Sequence, residues 1–304
     1  MAFSDVVLVL LLLTLLALGS VYIYLNLNID TVEFENYKAE IAADLPNASS
    51  QFYYNMRYPD KDISYGFSES CQRERKEDFI TATEILEQTT LLSFYISNNP
   101  QILVTCSENL QKPTQDGHFI AGEGGPTAII NATNFAVILN GSISLYRPDT
   151  CSKPQIALHE LLHAIGFDHN NNENSIMFPI TRCDQILDDY ITDEINRIYA
   201  KPSLPDLLIE KVNANKTGRY LNLNLIVSNY GLKKVNNSTI VIVAENYVVE
   251  KYNTRDLDIG ARKTVTITNL KIPRKTSRLT ISIETDEPEL TKENNFVELT
   301  AIQE

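Results

Sequence analysis

Apolar and polar positions divide the chain into four stretches of different character. Residues 6–27 form an almost unbroken apolar run, and the residues after it are mostly polar up to about position 60. From there short apolar stretches mix with helical periodicity, whereas in the last third apolar and polar residues mostly alternate. The pattern predicts a membrane anchor at 1–29, a connector at 30–60, a domain of helices and strands at 61–202 and an all-β domain at 203–304.

The central domain has an α+β pattern. Its strands are short and apolar or alternating, and its helices repeat apolar residues at intervals of three and four. A linker with two prolines, residues 201–205, ends its last helix. Strands are predicted at residues 63–67, 101–106, 128–130 and 141–146, and helices at 76–91 and 184–199.

The last hundred residues predict an antiparallel Ig-like β-sandwich, because several short alternating stretches are separated by turn residues. The closing residues 291–296 read Thr-Lys-Glu-Asn-Asn-Phe. This ending resembles the E-x-N-N ending of CARDB-type, cell-adhesion-related Ig-like modules. With no nucleophile, metal cluster or phosphate loop in its sequence, the domain is expected to be a spacer or a binding element. A surface protein or a glycan is the expected class of partner.

The N-terminal apolar run is long enough for one membrane crossing, since about 20 residues in a helix span the hydrocarbon core. The alternative is a cleavable signal peptide, for which residues 17–19 offer a small-x-small site; cleavage would make the protein secreted. The run stays apolar beyond that site, which favours an uncleaved, single-pass anchor. The connector that follows has one short stretch of helical character, around residues 34–43.

Glycosylation sequons and cysteines favour an extracytoplasmic position for both folded domains. The sequence has an acidic balance, with 39 Asp and Glu against 26 Lys and Arg and a net charge of −13. Because binding to phosphates needs basic surface, nucleic acid is not expected as a partner. Six N-x-Ser/Thr sequons begin at Asn47, Asn131, Asn140, Asn215, Asn236 and Asn237.

The four cysteines form an even set, and none has the C-x-x-C spacing of a zinc knuckle or a redox motif. Four cysteines allow three pairings. A Cys151–Cys183 disulfide is preferred because these two residues flank the histidine-rich segment and a bond between them would hold it in place. Cys71 and Cys106 are then the second pair.

Three of the four histidines in the chain fall within eleven residues that read His-Glu-Leu-Leu-His-Ala-Ile-Gly-Phe-Asp-His. On a helix, His159 and His163 lie on one face, where both rings can bind one metal ion. Glu160 lies close enough to accept a proton from a water on that metal. Gly166 lets the backbone leave the helix in a left-handed conformation, which returns His169 as a third ligand. Three protein ligands and an open fourth position are typical of catalytic zinc.

The helix that carries this motif has a start signal. Ser152-Lys153-Pro154-Gln155 has the form of a capping box, with a proline in the first turn. A core-facing side is expected to hold the helix and therefore the histidines. It consists of Ile156, Ala157, Leu161, Ala164 and Ile165.

The eleven residues resemble the metzincin metalloprotease signature at every fixed position. The sequence is most similar to matrixin-type catalytic domains, which implies a twisted mixed sheet with an active-site helix. Met177 is the expected Met-turn residue, a floor beneath the metal. The resemblance also implies that residues 141–146 form the sheet edge that pairs with an extended substrate. Substrate contacts are expected from Ile143, Leu145, Phe178, Pro179 and Ile180.

The predicted function is a membrane-anchored zinc endopeptidase that acts on peptide or protein substrates. One zinc ion on the three histidines would activate its bound water, and Glu160 would be the general base. Two other functions stay open: a catalytically inactive surface adhesion or architecture protein with a protease-like domain, and a zinc enzyme that acts on a non-peptide bond. The fourth histidine, His118, is expected to be a plain loop residue, because a structural zinc needs four donors.

Overall fold

The structure, a computed structural model, describes residues 3–27, 31–36, 50–107, 120–132 and 134–302. Its first helix, α1, spans Phe3–Leu27. Among the described residues, none of the helices is long and apolar enough to cross a membrane. The predicted membrane-spanning helix therefore has no support from the structure. His118 lies outside the described residues.

The middle of the chain forms an α+β domain on a mixed sheet. It contains β2 (Met56–Arg57), β3 (Asp62–Phe67), α2 (Arg73–Thr89), β4 (Ser93–Ile96), β5 (Ile102–Cys106), β6 (Gly122–Ala132), β7 (Phe135–Leu145), α3 (Gln155–Ala164) and α4 (Asp189–Tyr199). Strands in the order β2-β7-β5-β3-β4 run parallel to their neighbours, and β6 is antiparallel to β7. The predicted mixed sheet with an active-site helix is present, and every predicted strand lies within or next to an observed one.

β7 lies inside this sheet. It pairs with β5 along one side and with β6 along the other. Ile143 and Leu145 are only 0% and 2% exposed, because their side chains face the apolar core. The prediction that residues 141–146 form the substrate-binding edge is therefore wrong. β6 holds the edge position, and no described strand pairs with its other side.

Two disulfides cross-link the α+β domain, in the predicted pairing. Cys71, just before α2, is bonded to Cys106 at the end of β5. Cys151, before α3, is bonded to Cys183, before α4. Each bond closes a loop of more than 30 residues, which stabilises the fold by limiting the unfolded chain.

The C-terminal part folds around a second apolar core. All of its strand pairs are antiparallel, and in strands such as β9, β13 and β14 alternate residues point into the core, which explains the period of two in the sequence. Its strands are β8 (Leu207–Thr217), β9 (Tyr220–Asn229), β10 (Val235–Ala244), β11 (Tyr247–Leu257), β12 (Arg262–Lys271), β13 (Arg278–Glu284) and β14 (Phe296–Ala301).

A strand from the N-terminal side of the α+β domain completes this β domain. β1 (Thr31–Asn36) lies between β8 and β14 and is antiparallel to both. Without it the strands would form two sets, β11-β10-β13-β14 and β8-β9-β12, so β1 joins the two sheets of the predicted sandwich into one eight-stranded sheet. The helical stretch predicted around residues 34–43 is therefore wrong at 34–36, and 37–43 lie outside the described residues.

Phe34 anchors β1, since its side chain is 7% exposed and packs in the C-terminal core. We expect Phe34→Ala to lower the free energy of unfolding of the β domain by about 3 kcal/mol, through lost apolar burial and the cavity that remains. Urea denaturation followed by circular dichroism measures this. Glu33→Ala changes the exposed neighbour on the same strand and serves as the control. Equal unfolding midpoints for the two variants would show that β1 is not part of the folded domain.

Residues near the predicted domain boundaries also pack in ways that the sequence pattern does not indicate. Met56 and Tyr58 fall in the predicted connector, yet both are fully buried in the core of the α+β domain. Phe135 and Val137, at the β6–β7 hairpin, form a small apolar cluster with Leu232 of the β domain. The two domains are therefore in contact, and the boundaries at 60 and 202 stay predictions.

Candidate metal centre and active site

Asp149 caps the start of α3. Its carboxylate accepts hydrogen bonds from the backbone N–H groups of Ile156 and Cys151, both at 2.8 Å. A negative charge at this end also interacts favourably with the helix dipole. The predicted capping box is wrong: Pro154 is the N-cap residue and has no side-chain cap, and the amide of Gln155 donates to carbonyls of the loop before α4.

Gly166 turns the chain back toward the helix, as predicted. Its φ is +107°, a conformation that residues with a side chain rarely adopt. Its N–H donates to the carbonyl of His163 at 3.0 Å. A Cβ at this position would come within 2.8 Å of Cγ of Met56. Backbone conformation and packing therefore both require glycine, and the turn carries His169 to the face of α3.

The three predicted metal ligands converge. The Nε2 atoms of His159 and His163 are 3.0 Å apart, those of His163 and His169 are 3.1 Å apart, and those of His159 and His169 are 3.2 Å apart. A tetrahedral zinc with bonds of about 2.0–2.1 Å separates its nitrogen ligands by about 3.3 Å. The triangle of nitrogens therefore has the size that one metal ion needs.

Backbone carbonyls set the tautomers of two of these rings. Nδ1 of His159 donates to the carbonyl of Ile176 at 2.6 Å, and Nδ1 of His163 donates to the carbonyl of Phe167 at 2.8 Å. A neutral imidazole carries one N–H, so Nε2 of both rings has a lone pair and no hydrogen. Lone pairs that face each other at 3.0 Å repel unless a cation lies between them. The donor set therefore fits a metal ion, and the carbonyls orient its ligands.

Burial keeps the imidazoles neutral. It lowers the pKa of His159 to about 4, with smaller effects from His163 and His169. Burial is also the main cause of the lowered pKa values of His163 and His169. Zinc binds the neutral imidazole, so at neutral pH protons do not compete for these nitrogens.

Glu160 is 6% exposed, and burial raises its pKa to about 8, helped by the nearby charge of Glu123. Two glycines of β6 make room for it: a Cβ on Gly122 would lie 2.7 Å from its Cγ, and a Cβ on Gly124 would lie 2.2 Å from its backbone oxygen. A metal cation at the adjacent imidazoles would favour the carboxylate form and lower this pKa. A carboxyl with a pKa close to neutrality is suited to accept and return a proton.

These ligands and this carboxyl agree with a comparison to known families. Residues 51–200 match the matrixin family. The match covers every element from β2 to α4. The resemblance seen in the motif is thereby confirmed and supports a metalloprotease domain. The family implies dependence on zinc, and the three histidines are the residues that would hold it.

Solved structures similar to the C-terminal part include CARDB domains. One is a crystal structure of a domain from a Pyrococcus furiosus protein in complex with di-metal ions, with 14% identity and a TM-score of 0.27. The match covers 33% of this chain and 87% of the solved one. Another is a domain of a putative cell surface protein from Methanosarcina acetivorans, with 16% identity, a TM-score of 0.28 and coverages of 33% and 94%. No curated protein matches the chain.

A cleft of about 560 Å³ opens beside the candidate metal site of the matrixin-like domain. Of the five predicted substrate contacts, Pro179 and Ile180 line it, Phe178 does not, and Ile143 and Leu145 are buried in the core instead. The cleft is lined by residues 120–124 at and before the start of β6, by Arg147, by the three histidines and Glu160, and by residues 179–181.

Hydrogen bonds join the predicted Met-turn segment to the part of the chain that carries the three histidines. Met177 is buried in the catalytic core, and its carbonyl accepts from the N–H of Asn170, next to His169. Its own N–H donates to Oγ of Ser175 at 3.1 Å. The preceding carbonyl, of Ile176, is the one that orients His159. The segment is thus hydrogen-bonded to His159 and to the residue after His169, and the role of Met177 as a floor beneath the metal stays a prediction.

Sequence reasoning missed several groups that shape the site. Asp149 gave no local signal beyond being acidic and close to a helix start. The run Gly122-Glu123-Gly124-Gly125 followed by Pro126 does carry a signal, since glycine marks close backbone approach and proline within a strand marks an edge. Phe52, which stacks on His163 with ring centroids 5.8 Å apart, lies in the predicted connector and gave none.

Proposed function

We propose that the chain is a zinc-dependent endopeptidase. The observation that carries this proposal is the convergence of three imidazole lone pairs next to a buried carboxyl, at the wall of an open cleft. A structural metal site is closed by a fourth protein ligand. Among the described residues, no fourth histidine, cysteine or carboxylate joins the three histidines.

Each residue has a defined task in peptide hydrolysis. When bound, zinc would supply a Lewis acid that activates water and stabilises negative charge on the scissile carbonyl oxygen. Glu160 accepts a proton from the attacking water and then donates it to the nitrogen of the departing amine. The carbonyls of Ile176 and Phe167 keep His159 and His163 in the ligating tautomer throughout.

The free edge of β6 is the proposed site for the substrate backbone. An extended peptide can add to an unpaired edge through main-chain hydrogen bonds. Residues 122–124 of β6 line the cleft and lie against Glu160, so a peptide bound there would pass the metal site. This replaces the role that the sequence assigned to residues 141–146.

The proposal keeps the enzyme at the cell surface, with both folded domains outside and the N-terminal run as a single-pass anchor. Its support is the sequence alone: the apolar run at 6–27, the six sequons and the even set of cysteines. The two disulfides agree with an oxidising compartment. Extraction of membranes with carbonate, which removes peripheral proteins, would leave the chain in the membrane fraction.

Proteolysis of an unfolded protein tests the function. We expect the purified full-length chain, loaded with one equivalent of zinc, to cleave a fluorescently labelled unfolded substrate at internal bonds. A zinc chelator should abolish cleavage, and added zinc should restore it, because the imidazole ligands survive removal of the metal. Mass spectrometry of the products distinguishes internal cleavage from trimming at the termini.

Failure to cleave would favour the inactive alternative. If the chain binds one zinc but leaves unfolded proteins and a broad peptide library intact, the endopeptidase proposal is wrong. A surface adhesion or architecture protein with a protease-like domain would then be the better description. Turnover of a non-peptide substrate panel under the same conditions would point to a different zinc hydrolase.

A further inference from the structure

We propose that Glu123 makes the enzyme prefer substrates with a basic residue close to the scissile bond. This inference rests on the proposed function and names a class of substrate for it. Glu123 is exposed, lies at the start of the free edge strand β6 and lines the cleft. Among the ion pairs that the structure describes, none includes this carboxylate.

The direction of the side chain follows from the pairing of β6 with β7. Gly122 pairs with Leu145 and Gly124 with Ile143, and these β7 side chains face the core beneath the sheet. Glu123 pairs with Ser144 and therefore points to the opposite, outer face. A substrate strand added to β6 would alternate in the same way, with one side chain next to Glu123 on the outer face.

Tyr146 holds the carboxylate in place. Its hydroxyl donates to Oε2 of Glu123 at 2.7 Å, which fixes one oxygen and leaves the other free to accept. Glu123 lines the same cleft as Glu160 and the three histidines, so the carboxylate is close to the reacting groups. Cross-strand neighbours lie about 5 Å apart, within reach of a lysine or arginine side chain.

The size of the preference follows from exposure. An exposed cross-strand ion pair contributes up to about 1 kcal/mol, which corresponds to a preference in kcat/KM of up to roughly fivefold. Salt screens such a pair, so the preference should shrink as ionic strength rises. Arg147 lines the same cleft, and a preference of the opposite sign would implicate it instead.

The test uses the zinc-loaded full-length chain and one parent peptide that it cleaves. Lysine, glutamine or glutamate is placed in turn at each of the three positions on either side of the scissile bond. We expect lysine to exceed glutamine by up to about fivefold in kcat/KM at one position. Glu123→Gln should remove that preference, and Glu123→Lys should reverse it in favour of glutamate. Tyr146→Phe should weaken it, and Glu298→Gln, an exposed change in the β domain, should leave it intact.

Two results would overturn the inference: no lysine preference at any position, or a preference that Glu123→Gln retains. Binding of the same peptides to the zinc-loaded Glu160→Gln variant, measured by fluorescence anisotropy, gives the comparison without turnover. A lysine preference in binding that is lost on Glu123→Gln supports the inference even if the wild-type chain cleaves no peptide. In that case only the proposed endopeptidase function would fail.

Discussion

Exchange of Glu160 for glutamine is expected to lower kcat/KM for peptide hydrolysis by roughly a thousandfold, the range found when a general base is lost. Glutamine has the same shape, so it fits between the helix and the glycines of β6 that leave room for the side chain. It has no site that accepts a proton from water. Zinc should stay bound in a 1:1 ratio, because the three imidazoles are unchanged.

The stability of the Glu160→Gln variant distinguishes a chemical role of Glu160 from a structural one. Burial raises the pKa of Glu160 to about 8 in the metal-free chain, well above its value of 4.5 in the unfolded chain. Between these values the unfolded state binds fewer protons than the folded state, so this residue lowers stability as pH rises. Metal-free Glu160→Gln should therefore be at least as stable as the metal-free wild type at pH 7.

Asp193→Asn is the matched control, since it removes an exposed carboxylate from α4 and should change neither activity nor metal content. Kinetics, metal analysis and thermal unfolding of the wild type, Glu160→Gln and Asp193→Asn distinguish a chemical role of Glu160 from a structural one. Turnover by Glu160→Gln within tenfold of the wild type would show that another group accepts the proton. Loss of zinc together with activity would show that Glu160 supports the metal site.

The metal site could be predicted from the sequence because its parts are local. His159, His163 and Glu160 lie on two turns of one helix, and the helical repeat alone determines which of them share a face. Gly166 supplies the one backbone conformation that returns His169, and this too is a local property. The carbonyls that fix the tautomers come from Phe167 and Ile176, and only the folded chain shows that they are in reach.

Strand neighbours could not be predicted in the same way, because pairing is a long-range property. Residues 141–146 alternate like a half-exposed strand, yet β7 has neighbours on both sides. β1 pairs with β8, which lies almost two hundred residues later in the chain, and with β14, which lies further still. Its sequence, Thr-Val-Glu-Phe-Glu-Asn, alternates, but six residues between an apolar run and a polar stretch gave no sign of a partner.

His163→Ala should abolish stable zinc binding. The Nε2 atom of His163 lies 3.0 and 3.1 Å from those of His159 and His169, so the substitution removes one of the three nitrogens that would bind the metal. Tetrahedral zinc sites bind with about 10–16 kcal/mol in total, and removal of one ligand should cost about 4 kcal/mol, or roughly a thousandfold in affinity. Alanine is a good helix former, so α3 should persist without the ring.

Metal titration with a competing chelator measures this affinity, and hydrolysis of the labelled substrate should fall to background. His118→Ala is the control, since the sequence predicts that the fourth histidine is a plain loop residue and takes no part in binding. Its zinc affinity and its activity should equal those of the wild type. A His163→Ala variant that still held one zinc with wild-type affinity would refute the three-histidine site. The role of Glu160 as the base for a water on that site would then lose its support.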